Sequence, residues 1–161
     1  MGKKLINLIA SGFYISYIPY LLVKRNDKLK GCGFAGTTLA FCFWWSIPRE
    51  FINFLLFSVV FIFFAIIISE KAFEKDIEKD NPLIVIDEIA GYFFSFIFVE
   101  KNLKNAIILF IIFRVFDTLK PFPIKKLENI KQRGISIFID DIVAGFYTSI
   151  VAWLINRIFL S

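Results

Sequence analysis

Five acidic residues lie inside apolar stretches of this sequence, where a carboxylate is energetically costly. They are Asp87, Glu88, Asp117, Asp140 and Asp141. A charged side chain inside a membrane costs at least a few kcal/mol, so such a residue is by default a candidate for function. Mg²⁺ takes oxygen ligands and is usually held by one or two carboxylates together with a substrate phosphate. The five acids therefore predict a magnesium–phosphate site.

Two basic residues accompany these acids along the chain. Arg114 precedes Asp117 by three residues, which places both on one face of a helix, and Lys120 follows shortly after. A guanidinium binds phosphate as a planar fork and an ammonium binds it as a point charge. We therefore expect Arg114 and Lys120 to bind the phosphate. The alternative is that the acids only pair with these two cations and with loop lysines, or reach the lipid headgroups.

The composition excludes several classes of protein and of chemistry. The chain has 161 residues, of which 58% are apolar and 22 are phenylalanine, and its mean hydropathy is +0.70. A soluble domain is about 45–50% apolar, so the excess must face a bilayer. The sequence has no histidine, which excludes a Ser-His-Asp triad and a histidine zinc site. The net charge of +5 is dispersed, so no nucleic-acid partner is expected, and the two cysteines are expected to be packing residues.

The apolar stretches predict an all-α fold, a polytopic membrane bundle of about five transmembrane helices in a single domain over residues 1–161. A helix needs about 20 apolar residues to cross the hydrocarbon core. The predicted spans are Gly31–Pro48, Phe51–Ser69, Leu83–Val99, Asn105–Leu119 and Ile135–Phe159. The N-terminal stretch 5–23 contains Asn7, Gly12 and Pro19. We expect it to be either a re-entrant or interfacial helix or a further span.

Two basic loops predict the orientation of the bundle. The loop 24–30 carries four basic residues against Asp27, and the loop 120–133 carries five against Glu128. Basic loops stay in the cytoplasm. Tracing the chain from them places all five acids near the cytoplasmic face of the membrane. Asp87 and Glu88 are expected about 6–8 Å inside a helix that starts near residue 83, and the acids of the last helix about 6–9 Å inside a start near residue 136.

Three motifs resemble the signature of the phosphatidylglycerophosphatase A family. Residues 84–91, IVIDEIAG, resemble its I-V-[IW]-D-E-x-x-G motif, and residues 113–124, FRVFDTLKPFPI, follow its F-R-x-F-D-x-x-K-P-x-P-I motif. Residues 140–145, DDIVAG, resemble its D-D-x-x-A-G motif. The matches stand in the family's order and span about residues 82–147. The stretch 33–37 looks like the family's G-T-x-G-S turn, although Phe34 replaces the threonine.

The resemblance implies a Mg²⁺-dependent phosphatase of the bacterial inner membrane. Its substrate would be a phospholipid, phosphatidylglycerophosphate, and its products phosphatidylglycerol and inorganic phosphate. On this interpretation Asp87, Glu88, Asp140 and Asp141 supply the Mg²⁺ ligands and the groups around them. Asp117 is a candidate base for the attacking water or a further ligand, and Arg114 and Lys120 hold the phosphate. An aspartyl-phosphate intermediate stays open beside attack by water.

Four small or rigid residues near the acids are expected to act structurally. We expect Gly91 and Gly145, each following an acid by four residues, to permit close helix packing rather than to contact a ligand. Pro121 and Pro123 are expected to end the preceding helix at the membrane surface.

Two other functions are compatible with carboxylates in a small membrane protein. One is a different phosphotransferase acting on lipid headgroups, but the D-G-x-x-A-R…G-x-x-x-D-x-x-x-D string of the CDP-alcohol phosphotransferases is missing. The other is a small metal or ion transporter, which should carry its charges near mid-membrane. The predicted clustering of the acids near one face favours headgroup chemistry. The sequence makes no prediction of the oligomeric state.

Overall fold

The computed structural model describes residues 2–22, 31–72, 81–122 and 133–159. These residues form seven α-helices and a short 3₁₀ turn at Trp44–Ser46. The helices are α1 Lys3–Ala10, α2 Tyr17–Leu22, α3 Cys32–Cys42, α4 Phe51–Lys71, α5 Ile86–Phe94, α6 Leu103–Leu119 and α7 Arg133–Phe159. The described ranges contain no strand. The prediction of an all-α fold is therefore confirmed.

Within the described ranges, two helices are long and apolar enough to cross a membrane. They are α4, over Phe51–Lys71, and the part of α7 from Phe138 to Ile158. Only 22% of the apolar window of α4 is buried inside the protein, so most of its phenylalanine, valine and isoleucine side chains face outward. Such an apolar outer surface suits contact with lipid and is unusual for a soluble protein.

Two predicted spans form shorter helices than expected. The stretch 31–48 gives α3, with 11 residues, and the stretch 83–99 gives α5, with 9 residues. At 1.5 Å per residue these helices are about 16 and 14 Å long, half of the hydrocarbon core of about 30 Å. Because the turns on either side of α5 interrupt its helical hydrogen bonding, its apolar run does not become one long helix. The arrangement with five spans is not confirmed and stays a prediction.

The short helix α5 lies at the centre of the bundle, against α3, α4 and α7. Glycines let the backbones approach: a Cβ atom at Gly91 would lie 2.6 Å from the Asp141 carbonyl oxygen, and one at Gly145 would collide with the Gly91 carbonyl. The non-helical segment before α5 is held inside the protein, where the Val85 N–H donates to the Ala10 carbonyl at 2.9 Å. Irregular backbone is tolerated at membrane depth when protein surrounds it in this way.

The N-terminal stretch is not one continuous helix. Helices α1 and α2 are separated by a turn in which Gly12, Phe13 and Tyr14 all have positive φ angles, of 58°, 57° and 65°. Helix α1 then packs against α4. This break favours the re-entrant or interfacial alternative over a single helical span.

Candidate active site

The first two acids lie in the first turn of α5. Because residues 82–85 form turns and loop, the helix begins at Ile86, three residues later than expected. The prediction that Asp87 and Glu88 lie 6–8 Å inside their helix is therefore wrong. This position stabilises the two carboxylates, because the partial positive charge at a helix N-terminus attracts negative charge. Asp87 is only 5% exposed, so this end of α5 is enclosed by the bundle.

The second acidic pair lies on α7. This helix begins at Arg133 rather than near residue 136, which puts Asp140 and Asp141 about 10–12 Å from its start. Asp141 faces the N-terminal turn of α5. Oxygen atoms of Asp87, Glu88 and Asp141, one from each, all lie within 4.8 Å of one another. We call these three residues the acidic triad.

The acidic triad has the donor set of a hard-cation site. The Asp87 Oδ1 and Glu88 Oε2 atoms are buried and have no hydrogen-bond partner among the described residues. Buried polar atoms are otherwise almost always partnered, and three carboxylates at this separation repel one another. A divalent cation with oxygen ligands resolves both features, because it neutralises the charge and engages the lone oxygens. The residues therefore fit the predicted Mg²⁺.

The two site cations hold the two remaining acids. Arg114 Nη1 lies 2.8 Å from Asp117 Oδ2 within α6, and Lys120 Nζ lies 2.9 Å from Asp140 Oδ2 between α6 and α7. The alternative of simple ion pairing thus describes Asp117 and Asp140. It does not describe the acidic triad, for which the described part of the chain gives no ion pair. Asp140, a predicted ligand, lies beside the triad with its carboxylate on Lys120.

The end of α6 directs Lys120 toward α7. The helix ends at Leu119, as predicted, and its C-cap Lys120 has a left-handed backbone with φ of 42°. Such a conformation is rare for a residue with a side chain and is found where surrounding contacts enforce it. Pro121 follows in a turn, and Pro123 lies outside the described residues. Asp117, near the same end of α6, is close enough to Glu88 and Asp141 for its charge to act on theirs.

Helix α3 adds contacts that the sequence did not predict. Arg114 Nη1 donates to Thr37 Oγ1 at 3.0 Å, and the guanidinium carbon lies 5.9 Å from the centre of the Phe34 ring. Glu88 lies directly against Gly33, where a Cβ atom would collide with its carboxylate. Because α3 begins at Cys32, residues 33–37 are helical and do not form the turn that the family resemblance implied. The hint in the sequence was Thr37, a residue with a hydroxyl group in a largely apolar stretch.

A separate cavity lies at the opposite end of α6. It has a volume of about 620 Å³ and is lined by Trp44, Arg49 and Lys101, among others. Burial lowers the pKa of Lys101, whose amine lies 4.4 Å from the centre of the Phe54 ring. Arg114 lies 11 residues after Leu103, which lines the cavity, so the cavity is about 17 Å from Arg114 along the helix. It is therefore not part of the acidic site.

Comparison with known proteins agrees with the geometry of this site. The sequence model of the phosphatidylglycerophosphatase A family matches residues 8–156. The chain is 28% identical to a Bacteroides thetaiotaomicron protein named "Putative phosphatidylinositol-3-phosphatase", covering 92% of this chain and 94% of that one. It is 31% identical to phosphatidylglycerophosphatase A of Haemophilus influenzae over 64% of each chain. The Escherichia coli protein of that name is 28% identical, over 78% of this chain and 74% of its own. No solved structure matches the chain.

Proposed function

We propose, because this chain belongs to the phosphatidylglycerophosphatase A family, that it hydrolyses phosphatidylglycerophosphate to phosphatidylglycerol and inorganic phosphate. The observation that carries the proposal is the acidic triad beside two cations. Oxygen atoms of Asp87, Glu88 and Asp141 lie within 4.8 Å of one another. Arg114 on α6 and Lys120 at its C-cap each pair with a carboxylate. Asp140, the partner of Lys120, precedes the triad residue Asp141 in α7. This combination suits a doubly charged phosphate monoester.

Arg114 and Lys120 bind the phosphate in this proposal. Arg114 uses Nη1 for Asp117 and Thr37, which leaves Nε and Nη2 for two phosphate oxygens. Lys120 adds a point charge from the end of the same helix. Both groups stabilise the charge that moves between oxygens during phosphoryl transfer.

Asp117 is the candidate base for the attacking water. Its Oδ2 atom holds Arg114, and its second oxygen is available to accept a proton from a water beside the bound phosphate. One residue then orients the phosphate-binding guanidinium and removes the proton. Such a positioned base contributes about 10²- to 10⁴-fold to a rate.

The acidic triad holds Mg²⁺ in this proposal. Asp87 and Glu88 from α5 and Asp141 from α7 would hold the ion, and Asp140, next to Asp141 in the sequence, pairs with Lys120. When bound, Mg²⁺ supplies positive charge that offsets the phosphate oxygens and activates water. No ion pair among the described residues joins a cation to Asp87, Glu88 or Asp141, so a bound cation would add charge that the triad lacks.

The reaction takes place at the cytoplasmic face of the inner membrane. The basic loops 24–30 and 120–133 support this orientation, and α4 and α7 support membrane insertion. A site near the membrane surface reaches a lipid headgroup without extracting the lipid.

A second substrate is favoured by one relative. The Bacteroides thetaiotaomicron protein, named as a phosphatidylinositol-3-phosphatase, aligns with 92% of this chain. Phosphatidylinositol 3-phosphate shares the essential chemistry, a phosphate monoester on a lipid headgroup. The two substrates differ in the bulk of the headgroup, and both belong in one assay.

The test is phosphate release by the detergent-purified protein from each lipid, with and without Mg²⁺. We expect Mg²⁺-dependent release, faster from phosphatidylglycerophosphate. Glu88→Gln should abolish it, whereas Glu100→Gln, which alters an exposed carboxylate far from the site, should not. No release from either lipid would refute the phosphatase. Mg²⁺ uptake into vesicles by the same preparation would then indicate a transporter.

A further inference from the structure

We propose that Thr37 is a positioning residue, which fixes the guanidinium of Arg114 for phosphate binding. The inference rests on the proposed function and extends it to α3, a helix to which the sequence analysis assigned no role. Thr37 does not touch the phosphate in this proposal. It acts through Arg114.

The hydroxyl of Thr37 is oriented by its own helix. It donates its proton to the carbonyl oxygen of Gly33 at 3.0 Å, so its lone pairs are left to accept from Arg114 Nη1, also at 3.0 Å. A hydroxyl can rotate, but here the bond to Gly33 fixes its polarity. Thr37 is fully buried, and solvent does not compete for either bond. The Thr37 hydroxyl oxygen is therefore oriented to accept a hydrogen bond from the guanidinium group of Arg114.

The contact determines which side of the guanidinium faces the substrate. Nη1 lies between Thr37 and Asp117, at 3.0 and 2.8 Å. Two anchors on a single nitrogen restrict rotation of the planar group, whereas Asp117 alone would leave it free to turn about that bond. Both contacts use Nη1, which leaves Nε and Nη2 for the phosphate. A planar fork binds phosphate well only when its direction is fixed.

The same face of α3 also contacts the acidic triad. Gly33 lies one turn before Thr37, and Glu88 packs directly against it. One helix surface thus contacts the phosphate-binding arginine through Thr37 and a triad carboxylate through Gly33. Helix α3 thereby sets the distance between the phosphate-binding Arg114 and the acidic triad.

The first test compares variants of two neighbouring threonines. Thr37→Val keeps the shape and removes the acceptor, and Thr37→Ala removes it without adding bulk. Thr37→Ser retains it. Thr38→Val is the matched control, because Thr38 Oγ1 makes the same kind of bond, to the Phe34 carbonyl at 2.7 Å, without contacting Arg114.

We expect Thr37→Val and Thr37→Ala to lower kcat/KM by about 10- to 100-fold, the range for one hydrogen bond to a charged group. Thr37→Ser and Thr38→Val should stay within about threefold of the unmodified protein. In the Arg114→Gln background Thr37→Val should add no further loss, because its effect passes through Arg114. Normal activity of Thr37→Ala, a loss in Thr37→Ser equal to that in Thr37→Val, or an additive loss with Arg114→Gln would each overturn the inference.

A binding measurement separates this inference from the proposed function. Inorganic phosphate, titrated calorimetrically into the purified protein with Mg²⁺, should bind about tenfold more weakly to Thr37→Ala than to the unmodified protein. That ratio is informative whichever lipid is hydrolysed. Failure to release phosphate from lipid would refute the phosphatase alone, whereas equal phosphate affinity of the two proteins would refute the role of Thr37 alone.

Discussion

Asp117 has one observed contact and one proposed role, and a single substitution can separate them. It pairs with Arg114 at 2.8 Å and is the proposed base. Asp117→Asn keeps the size and a hydrogen-bonding oxygen but removes the charge and the proton acceptor. Because Thr37 still holds Nη1, we expect the variant to fold with a near-normal Tm and to lose at least about 10²-fold in kcat. Phosphate release and thermal unfolding measure the two effects.

The double variant Arg114→Gln with Asp117→Asn is the control for pure ion pairing. If the two residues only neutralise each other, breaking a buried pair costs about 3–5 kcal/mol and removing both charges restores stability and activity. If each has its own role in the reaction, the double variant stays inactive. We expect the second result. An active double variant would show that Asp117 is only a counterion.

The candidate site residues stand out in the sequence, but their contacts could be predicted only in part. Acids in apolar stretches are conspicuous because they are costly there, and Arg114 and Asp117 are close because residues three apart share a helix face. The bond from Lys120 to Asp140 and the meeting of Asp141 with α5 depend on how separate helices cross. The contact of Thr37 with Arg114 spans 77 positions. No local pattern encodes that distance.

The acidic triad depends on the close packing of α5 against α7. A Cβ atom at Gly91 would lie 2.6 Å from the Asp141 carbonyl oxygen, so Gly91→Ala must push α7 away. We expect a loss of about 1–3 kcal/mol in unfolding free energy, the usual effect of overpacking, together with a strong loss of activity because Asp141 moves. Thermal unfolding and phosphate release measure both.

Gly2→Ala is the matched control for the crossing, since nothing lies within 4 Å of a Cβ atom at Gly2. It should leave Tm and activity unchanged. If Gly91→Ala is as stable and active as Gly2→Ala, the two helices do not pack as closely as the structure indicates, and the triad does not depend on their contact.

At the level of elements, hydropathy predicted where helices occur but not how far each extends. Helix α4 formed over the predicted stretch because nothing in it competes with helical hydrogen bonding. In α5 the limits come from tertiary contacts. The Val85 N–H is bonded to Ala10 before the helix, and the Phe98 N–H is bonded to the Ser149 hydroxyl after it. Local hydropathy takes no account of hydrogen bonds to distant segments, so it overestimated the length of α5.

The basic loops predict the orientation of the whole molecule in the membrane, and labelling tests that prediction. Single cysteines at Asn102, which caps the start of α6, and at Lys126, in the basic loop beyond the described end of that helix, should react from opposite sides of a sealed membrane. The background needs both native cysteines replaced, because Cys42 is exposed. Only Lys126→Cys should react from the cytoplasmic side. Labelling of both positions from one side would contradict the orientation.

The stability of the whole molecule should depend on the metal, because the acidic triad is a repulsive cluster until a cation joins it. A ligand that binds only the folded state at 100 times its Kd adds about 2.7 kcal/mol to the unfolding free energy. We therefore expect Mg²⁺ to raise Tm by several degrees over the value in EDTA, and Ca²⁺ to do so less, because its larger radius suits a wider site.

Glu88→Gln should weaken both the repulsion within the triad without metal and the stabilisation by bound metal. With one charge fewer it should unfold at a higher temperature than the unmodified protein in EDTA, and it should lose most of the Mg²⁺ response. Glu100→Gln should behave like the unmodified protein under both conditions. Equal Mg²⁺ shifts in Glu88→Gln and the unmodified protein would place any metal binding outside the triad, and an unmodified protein whose Tm and activity ignore EDTA would remove the metal from the site altogether.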